Sequence, residues 1–348
     1  MNLSNFDYNL PKELIAQYPV KDRDSSRLMV LNREDSTFTG AVFKNITDYL
    51  RLGDLLVLNN TKVLPARLIG SRLSGGKVDI LLLGHKQGLT FNSEAPLNID
   101  TPIDGIRFRF KALIKPGKIK LNEKIIFADK NIYARRSAKD EITFYAQSQE
   151  EIYNLGAMPL PPYIKRPPKE SDKIDYQTVY AAVNGSVAAP TAGLHFTKEL
   201  INKIEQKGVA IAYVTLHVGY ATFKPVKAED ITQHVMDSEC FHVPDETLRA
   251  IERAKSAKAR VIAVGTTALR SIETYALGKK EGQTNLFIYP GYKFKIADCI
   301  LTNFHLPRTT LFMLACAFGG EEFVKKAYQR AIEEKYRFYS YGDAMLIT

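Results

Sequence analysis

The chain has 348 residues, 45% apolar and 25% charged, with 48 Lys and Arg against 38 Asp and Glu and a formal net charge of +10. At roughly 150 residues per domain the length suggests about two domains, and this composition excludes global disorder. No apolar run approaches the roughly 20 residues that span a bilayer, and the three cysteines, Cys240, Cys299 and Cys316, form no CxxC pair, which argues against a disulfide framework or zinc ribbon and fits a reducing cytoplasm.

Met1 to Pro19 carries acids and prolines but no basic segment followed by an apolar one, so it does not read as a signal peptide. Pro11 to Gln17 opens like a helix, with Pro in the first turn. Leu28 to Leu31 and Leu55 to Leu58 read as buried strands. Residues 63–150 then carry 15 Lys and Arg against 9 Asp and Glu, over half of the net charge. That points, as a broad field effect, to a polyanionic partner. The segment looks all-β. Lys77 to Leu83, Ile106 to Ile114, Lys118 to Phe127 and Ile142 to Tyr145 are β-rich, and Gly75-Gly76, Pro116-Gly117 and Lys139-Asp140 supply turns. It reads as a small barrel inserted between residues 1–62 and 151–348. The prolines from Pro159 to Pro168 read as a rigid connector.

After about Ser186 strands alternate with helices. Thr197 can cap a helix reaching Lys207, with Leu200, Ile201 and Ile204 on one face, and Gly208 ends it. Val209 to Val218, Val261 to Val264 and Cys299 to Phe304 follow as strands. Asp245 to Lys258, Thr267 to Leu277, Thr309 to Phe318 and Glu321 to Lys335 follow as helices. The fold class is therefore α/β, a mixed, largely parallel sheet domain with an inserted small β-barrel domain.

Ligands in open α/β sheets gather where strand C-termini meet helix N-termini. Three stretches qualify. VAAPTAGLHF, Val187 to Phe196, offers small residues with Thr191, Gly193 and His195. VIAVGTTALRSIE places Gly265, Thr266 and Thr267 at a helix N-terminus suited to an anion, without the spacing of a GxGxxG or P-loop motif. LTNFHLPRTT brings Asn303, His305 and Arg308 together. Each also has a plainer reading, as a tight loop, a helix cap or a surface Arg. His217 closes a strand, and HVMDSECFH holds His234, Asp237, Glu239, Cys240 and His242 in a spacing that matches no zinc motif, so no metal is expected. Five of the six histidines fall between 195 and 305, apart from the basic segment, as separate regions for chemistry and polyanion contact would produce. In the tail KYRFYSYG, Tyr336, Phe338 or Tyr341 could stack bases, but the alternation favours a final strand packing them inward.

These stretches, with FDYNLPKELIAQYP, DRDSSRLMVLNR, GDLLVLNNTKVLPARL, MPLPPYI, DYQTVYA, VTLHVGYATFKPV and RFYSYGDAMLI, run through nearly the whole chain in fixed order. The sequence resembles the S-adenosylmethionine:tRNA ribosyltransferase-isomerase family of queuosine biosynthesis. The resemblance implies an α/β domain interrupted by a barrel, and a cytoplasmic enzyme that uses S-adenosylmethionine as ribosyl donor. The ribosyl group goes to 7-aminomethyl-7-deazaguanine at the tRNA wobble position and is isomerised to give epoxyqueuosine. Adenine and methionine leave, and no metal, membrane or obligate protein partner is implied. On this reading His195, His217 and His305 face one cleft, with His195 or His217 as base. Glu239 or Asp175 protonates adenine or faces the sulfonium. Thr191 and Gly193 border the donor, and Gly265, Thr266, Thr267 and Arg308 hold its carboxylate. Arg67, Arg107, Arg109, Arg135, Arg136, Lys165 and Arg166 are the candidates for tRNA phosphates. The chain departs from the family at Tyr220-Ala221, where Leu-Gly is usual, and at Asp237, where a second His is usual. The competing readings are an S-adenosylmethionine-dependent RNA methyltransferase and a non-catalytic RNA-binding protein.

Overall fold

The computed structural model describes residues 1–85, 106–129, 131–223 and 225–348. Residues 86–105, part of the basic segment counted above, lie outside the described residues, as does the side chain of Ala221.

LLVLN, Leu55–Asn59, is apolar at consecutive positions because both faces of its strand are covered. Leu55 and Val57 join one core, with Ile251, Leu269, Phe312 and Tyr328 from helices Asp245–Ser256, Gly265–Tyr275, Thr310–Gly319 and Glu321–Glu333. Leu56 and Leu58 join the other, with Phe43, Ile46, Leu200 and Ile204. Thr197 caps helix Lys198–Gln206 by accepting from Leu200 N–H at 3.1 Å. Around Leu55–Asn59 a nine-stranded sheet runs in the order Glu281–Thr284, Glu239–His242, Ala210–Leu216, Leu55–Asn59, Val261–Val264, Cys299–Asn303, Ala344–Ile347, Arg27–Asn32, Thr37–Val42. From Ala210–Leu216 to Cys299–Asn303 the neighbours are parallel. Antiparallel strands extend both sides, and Ala344–Ile347 pairs parallel with Arg27–Asn32. This is the mixed, largely parallel sheet expected.

Between its strands Leu55–Asn59 and Ala210–Leu216 the chain makes a closed antiparallel barrel, in the order Glu141–Ala146, Ile106–Lys115, Lys77–His85, Arg67–Arg72, Lys124–Ile126, Tyr133–Ala138. Its interior takes alternate residues: Phe108, Phe110 and Ala112 point in, while Arg107, Arg109 and Lys111 point out.

Three local expectations fail. Pro11 to Gln17 forms only a single 3-10 turn, Lys12–Leu14. The chain is captured by the C-terminal tail: Phe338 N–H donates to Leu14 O at 2.7 Å and Ala16 N–H to Phe338 O at 3.2 Å. Lys118 to Phe127 shrinks to strand Lys124–Ile126, because Asn122 sits at φ +61° and the Glu123 carboxylate accepts from Lys120 N–H, closing a turn. Tyr336, Phe338, Tyr339 and Tyr341 are buried, which removes the base-stacking reading of the tail, but they do not form the final strand, which is Ala344–Ile347.

Candidate functional site

Parallel strands Leu55–Asn59, Val261–Val264 and Cys299–Asn303 end on one edge of the sheet. The segments leaving them enclose a pocket of about 50 Å³ lined by Thr191, Gly265, Thr266, Thr267, Thr302, Asn303, His305, Tyr163 and Tyr339, among others. Gly265 sits at φ +88°, a backbone conformation that only glycine adopts freely, and it turns strand directly into helix. The first N–H groups of that helix have no intrahelical partner and carry the positive end of its dipole. Asn59, at the end of its own strand, steadies this corner: its Nδ2 donates to Thr267 Oγ1 and to Leu216 O, both at 3.0 Å.

Asn303 is held from both sides. Its Oδ1 accepts from Thr191 Oγ1 at 2.9 Å and its Nδ2 donates to His195 Nε2 at 3.1 Å. That bond leaves His195 Nε2 without a proton, so Nδ1–H faces Ser26 Oγ at 2.7 Å. Both ring nitrogens of His195 are thus engaged, and burial pushes its pKa down to about 4. His305 lines the pocket itself. Thr302 Oγ1 meets its Nε2 at 2.8 Å, Nδ1 has no partner among the described residues, and burial lowers its pKa to about 3. Tyr339 is 5% exposed, its hydroxyl has no hydrogen-bond partner among the described residues, and its φ of +77° is one that bulky residues avoid. Its ring meets that of Tyr163 edge-on at 3.8 Å, and the Tyr163 hydroxyl bonds Ser340.

The three histidines therefore do not face one cleft. His195 touches the pocket lining through Asn303, and it borders a small cavity of about 60 Å³ with Asp175, Arg23 and Tyr341 that meets the pocket at Ser340. His217, its pKa lowered to about 4 by burial, bonds Thr61 Oγ1 at 2.8 Å and lines neither cavity. Arg308 pairs with Asp7 at the surface, Nε to Oδ2 at 2.8 Å, and is likewise outside the pocket. Gly193 serves packing, since a Cβ there would fall 2.0 Å from the Tyr180 hydroxyl. Glu239 is buried in an ion pair with Arg270 and also accepts from Gly219 N–H at 2.9 Å and Thr222 Oγ1 at 3.1 Å. It lines a second, larger cavity of about 440 Å³ with Lys227, His234 and Asp237, which meets the first at Thr222. No cluster of three or more His, Cys, Asp or Glu arranged for a metal occurs among the described residues.

The cations expected to meet tRNA phosphates divide. Arg67 is paired bidentately with Asp79 at 2.6 and 3.1 Å, and Arg166 with buried Asp172 at 2.7 Å through both terminal nitrogens. Arg136 donates to four backbone carbonyls, of Gly117, Ile119, Ala138 and Lys139. Arg135 donates to Asn122 O at 2.8 Å and lies over the Tyr133 ring. Arg107, over Tyr145, and Arg109 point outward, and Lys165 is exposed.

Sequence reasoning missed Ser26, Asn59, Tyr163, Arg270, Thr302 and Tyr339 as parts of these sites. Asn59 was findable, since a polar residue closing an apolar strand marks the sheet edge where ligands gather. Ser26 and Tyr163 depend on contacts across 169 and 177 residues and Tyr339 on a backbone angle, which no local pattern carries, while Arg270 and Thr302 have partners 31 and 3 residues away but no motif that marks them.

A model of the family described as queuosine biosynthesis protein matches residues 3–347. A relative from Sulfurihydrogenibium sp. (strain YO3AOP1), named S-adenosylmethionine:tRNA ribosyltransferase-isomerase, is 50% identical over the full length of both chains. One of the same name from Thermosipho melanesiensis is 47% identical over the full length of both. A solved structure of S-adenosylmethionine tRNA ribosyltransferase from Thermotoga maritima is 37% identical, with a TM-score of 0.56, covering 99% of this chain and 100% of that one.

Proposed function

This chain belongs to the queuosine biosynthesis protein family, and from that premise we propose that its sheet-edge pocket is where S-adenosylmethionine surrenders its ribosyl group to a tRNA base. The activity is that of an S-adenosylmethionine:tRNA ribosyltransferase-isomerase, a transferase acting on tRNA in queuosine biosynthesis. The observation that carries the placement is the convergence of a helix N-terminus, Asn303, His305 and an unpartnered Tyr339 hydroxyl on one pocket.

Ligands of cofactor size occupy roughly 300–1,000 Å³. The pocket of about 50 Å³ is too small for the whole donor, but the neighbouring cavity of about 440 Å³ is not. The donor spans both across Thr222. Its carboxylate lies at the N–H groups of Gly265, Thr266 and Thr267, and its sulfonium turns toward the cavity that Asp237 and Glu239 help line. Arg308, spent on Asp7, is not needed for this.

The reaction needs a base for the C5′ hydrogen that the sulfonium acidifies, a neutral acceptor amine, and a proton for departing adenine. The amine nitrogen bonds to the sugar and loses a proton, and the electron pair freed at C5′ closes a new carbon–carbon bond as the ring isomerises. The C–N bond to adenine and the C–S bond to methionine break, each leaving group keeping the bonding electrons and adenine taking up a proton. We assign the base to His305 in the neutral tautomer whose Nε2–H donates to Thr302 Oγ1, which puts the lone pair on Nδ1. His195 is a positioning residue: it takes one Asn303 N–H while Asp343 O accepts the other at 3.4 Å, which fixes the amide and leaves an Oδ1 lone pair for substrate. The Tyr339 hydroxyl supplies one hydrogen bond to a bound polar atom. The acceptor is the aminomethyl group of 7-aminomethyl-7-deazaguanine at the wobble position, and no metal takes part.

Single-turnover transfer from ribose-labelled donor to acceptor tRNA tests the roles. His305→Asn lowers the rate by roughly 10²–10⁴-fold, the usual worth of a placed proton-transfer group. His195→Gln, which keeps an acceptor for Asn303, retains more activity than His195→Ala. Near-normal transfer by His305→Asn removes His305 as base.

A further inference from the structure

Between the barrel and the proline-rich connector lies a groove of about 580 Å³, the largest of the cavities described. Its barrel wall is a grid set by strand register. Arg67, Leu81 and Leu113 face one another across three strands, and Ile69, Asp79 and Lys115 form the next row. Apolar side chains on this outer face are exposed, Ile69 at 47% and Leu113 at 38%. The opposite wall is formed by the prolines of the connector and by Tyr220.

Charge in the groove is uneven. Arg67 is neutralised by Asp79, and Arg166 by Asp172. Lys77, Lys115 and Lys165 have no ion-pair partner among the described residues and are exposed. Three free ammonium groups set among prolines and exposed aliphatic side chains suit a ligand that is anionic along its backbone and flat and apolar between the charges. Unpaired nucleotides have that chemistry. The groove also adjoins the reaction site. Tyr163 lines the pocket while its neighbours Pro162 and Ile164 line the groove, and Tyr220 lines the groove two residues from Thr222 in the pocket.

We propose that this groove binds the single-stranded nucleotides flanking the reacting base of the tRNA anticodon loop, a placement that rests on the reading of the chain as a tRNA-acting transferase. The connector is the partition across which the reacting base reaches the pocket while its neighbours stay in the groove. Paired Arg67 and Arg166 shape the walls, and the three lysines meet phosphates.

Lys115→Ala/Lys165→Ala tests this at two exposed positions where folding is not at stake, with an anticodon stem-loop RNA carrying the aminomethyl base as substrate. The expected result is a KM for RNA raised on the order of tenfold, with kcat at saturating RNA and KM for S-adenosylmethionine unchanged. The slope of log affinity against log salt becomes shallower by about 1.4, roughly 0.7 for each lost single-strand phosphate contact. Leu113→Asp, which sets a carboxylate among the phosphates, also raises KM for RNA. Unchanged KM and salt slope in the double variant overturn the groove while leaving the reaction standing. A wild-type enzyme that binds the stem-loop but transfers no label overturns the reaction reading instead.

Discussion

Tyr339 joins three features that rarely coincide: a buried ring, an unpartnered hydroxyl and a positive φ. An unpaired buried hydroxyl costs about 1–3 kcal/mol and a strained backbone a comparable amount, and such costs collect at functional sites. Tyr339→Phe should therefore leave thermal stability unchanged or higher while weakening donor binding, read by calorimetric titration of S-adenosylmethionine. Unchanged donor affinity would leave the hydroxyl without a role. The histidines make a second prediction. His195 and His217 sit near 4 and His305 near 3 in the fold, against about 6.5 in the unfolded chain. Between pH 6.5 and 4 the unfolded chain binds protons that the folded chain refuses, so stability is intact above pH 6.5 and falls as pH drops through this window. At pH 5 the loss is about 2 kcal/mol per histidine. Urea unfolding at pH 7 and pH 5 should show it, and His195→Gln should show a shallower dependence. An equal dependence in the variant would mean His195 is charged in the fold. At this scale the sequence pointed to the right neighbourhoods but not to the partners. VGTTAL and NFH announced a helix mouth and a strand end, yet that His195 touches Asn303, 108 residues away, and not the cleft is a fact of folding.

Helices with sharp chemical punctuation were the most legible elements. Thr197 and Gly208 bracket a helix whose apolar face repeats at i, i+3 and i+4, and that helix is Lys198–Gln206. Thr197→Ala should cost about 1 kcal/mol, read from the denaturation midpoint. Gly265 carries a larger expectation. A Cβ there has room, its nearest neighbour being Ala192 Cβ at 3.6 Å, so Gly265→Ala is penalised through φ and not through a clash. The variant should lose more than about 1 kcal/mol of stability and bind donor more weakly, because the helix mouth rotates. A variant of native stability and affinity would show that the turn tolerates side chains. Strands without an apolar signature escaped detection. YARRSA alternates only Ala134 and Arg136 against Arg135, yet Tyr133–Ala138 closes the barrel by pairing on both sides. The Pro11 segment shows the converse, a local helix signal overridden by hydrogen bonds from the tail 324 residues later.

For the whole molecule, alternation of strand and helix was enough to infer the sheet domain, and the change to short β-rich segments was enough to infer the insertion. Register was not legible, and register decides which barrel cations remain free: Arg67, opposite Leu81, reaches diagonally to Asp79 in the next row, and Arg136 is consumed by turn carbonyls. Net charge of +10 thus overstates the cations available to RNA. The division of labour that results is a basic, partly apolar groove beside a compact, uncharged-histidine pocket, with the connector between them. The most direct test of the account is to count products when adenosyl-labelled S-adenosylmethionine is incubated with the enzyme and tRNA bearing the aminomethyl base. The account predicts one free adenine for each labelled ribosyl group that becomes attached to tRNA. S-adenosylhomocysteine in place of adenine, or bound tRNA with the donor intact, would contradict it.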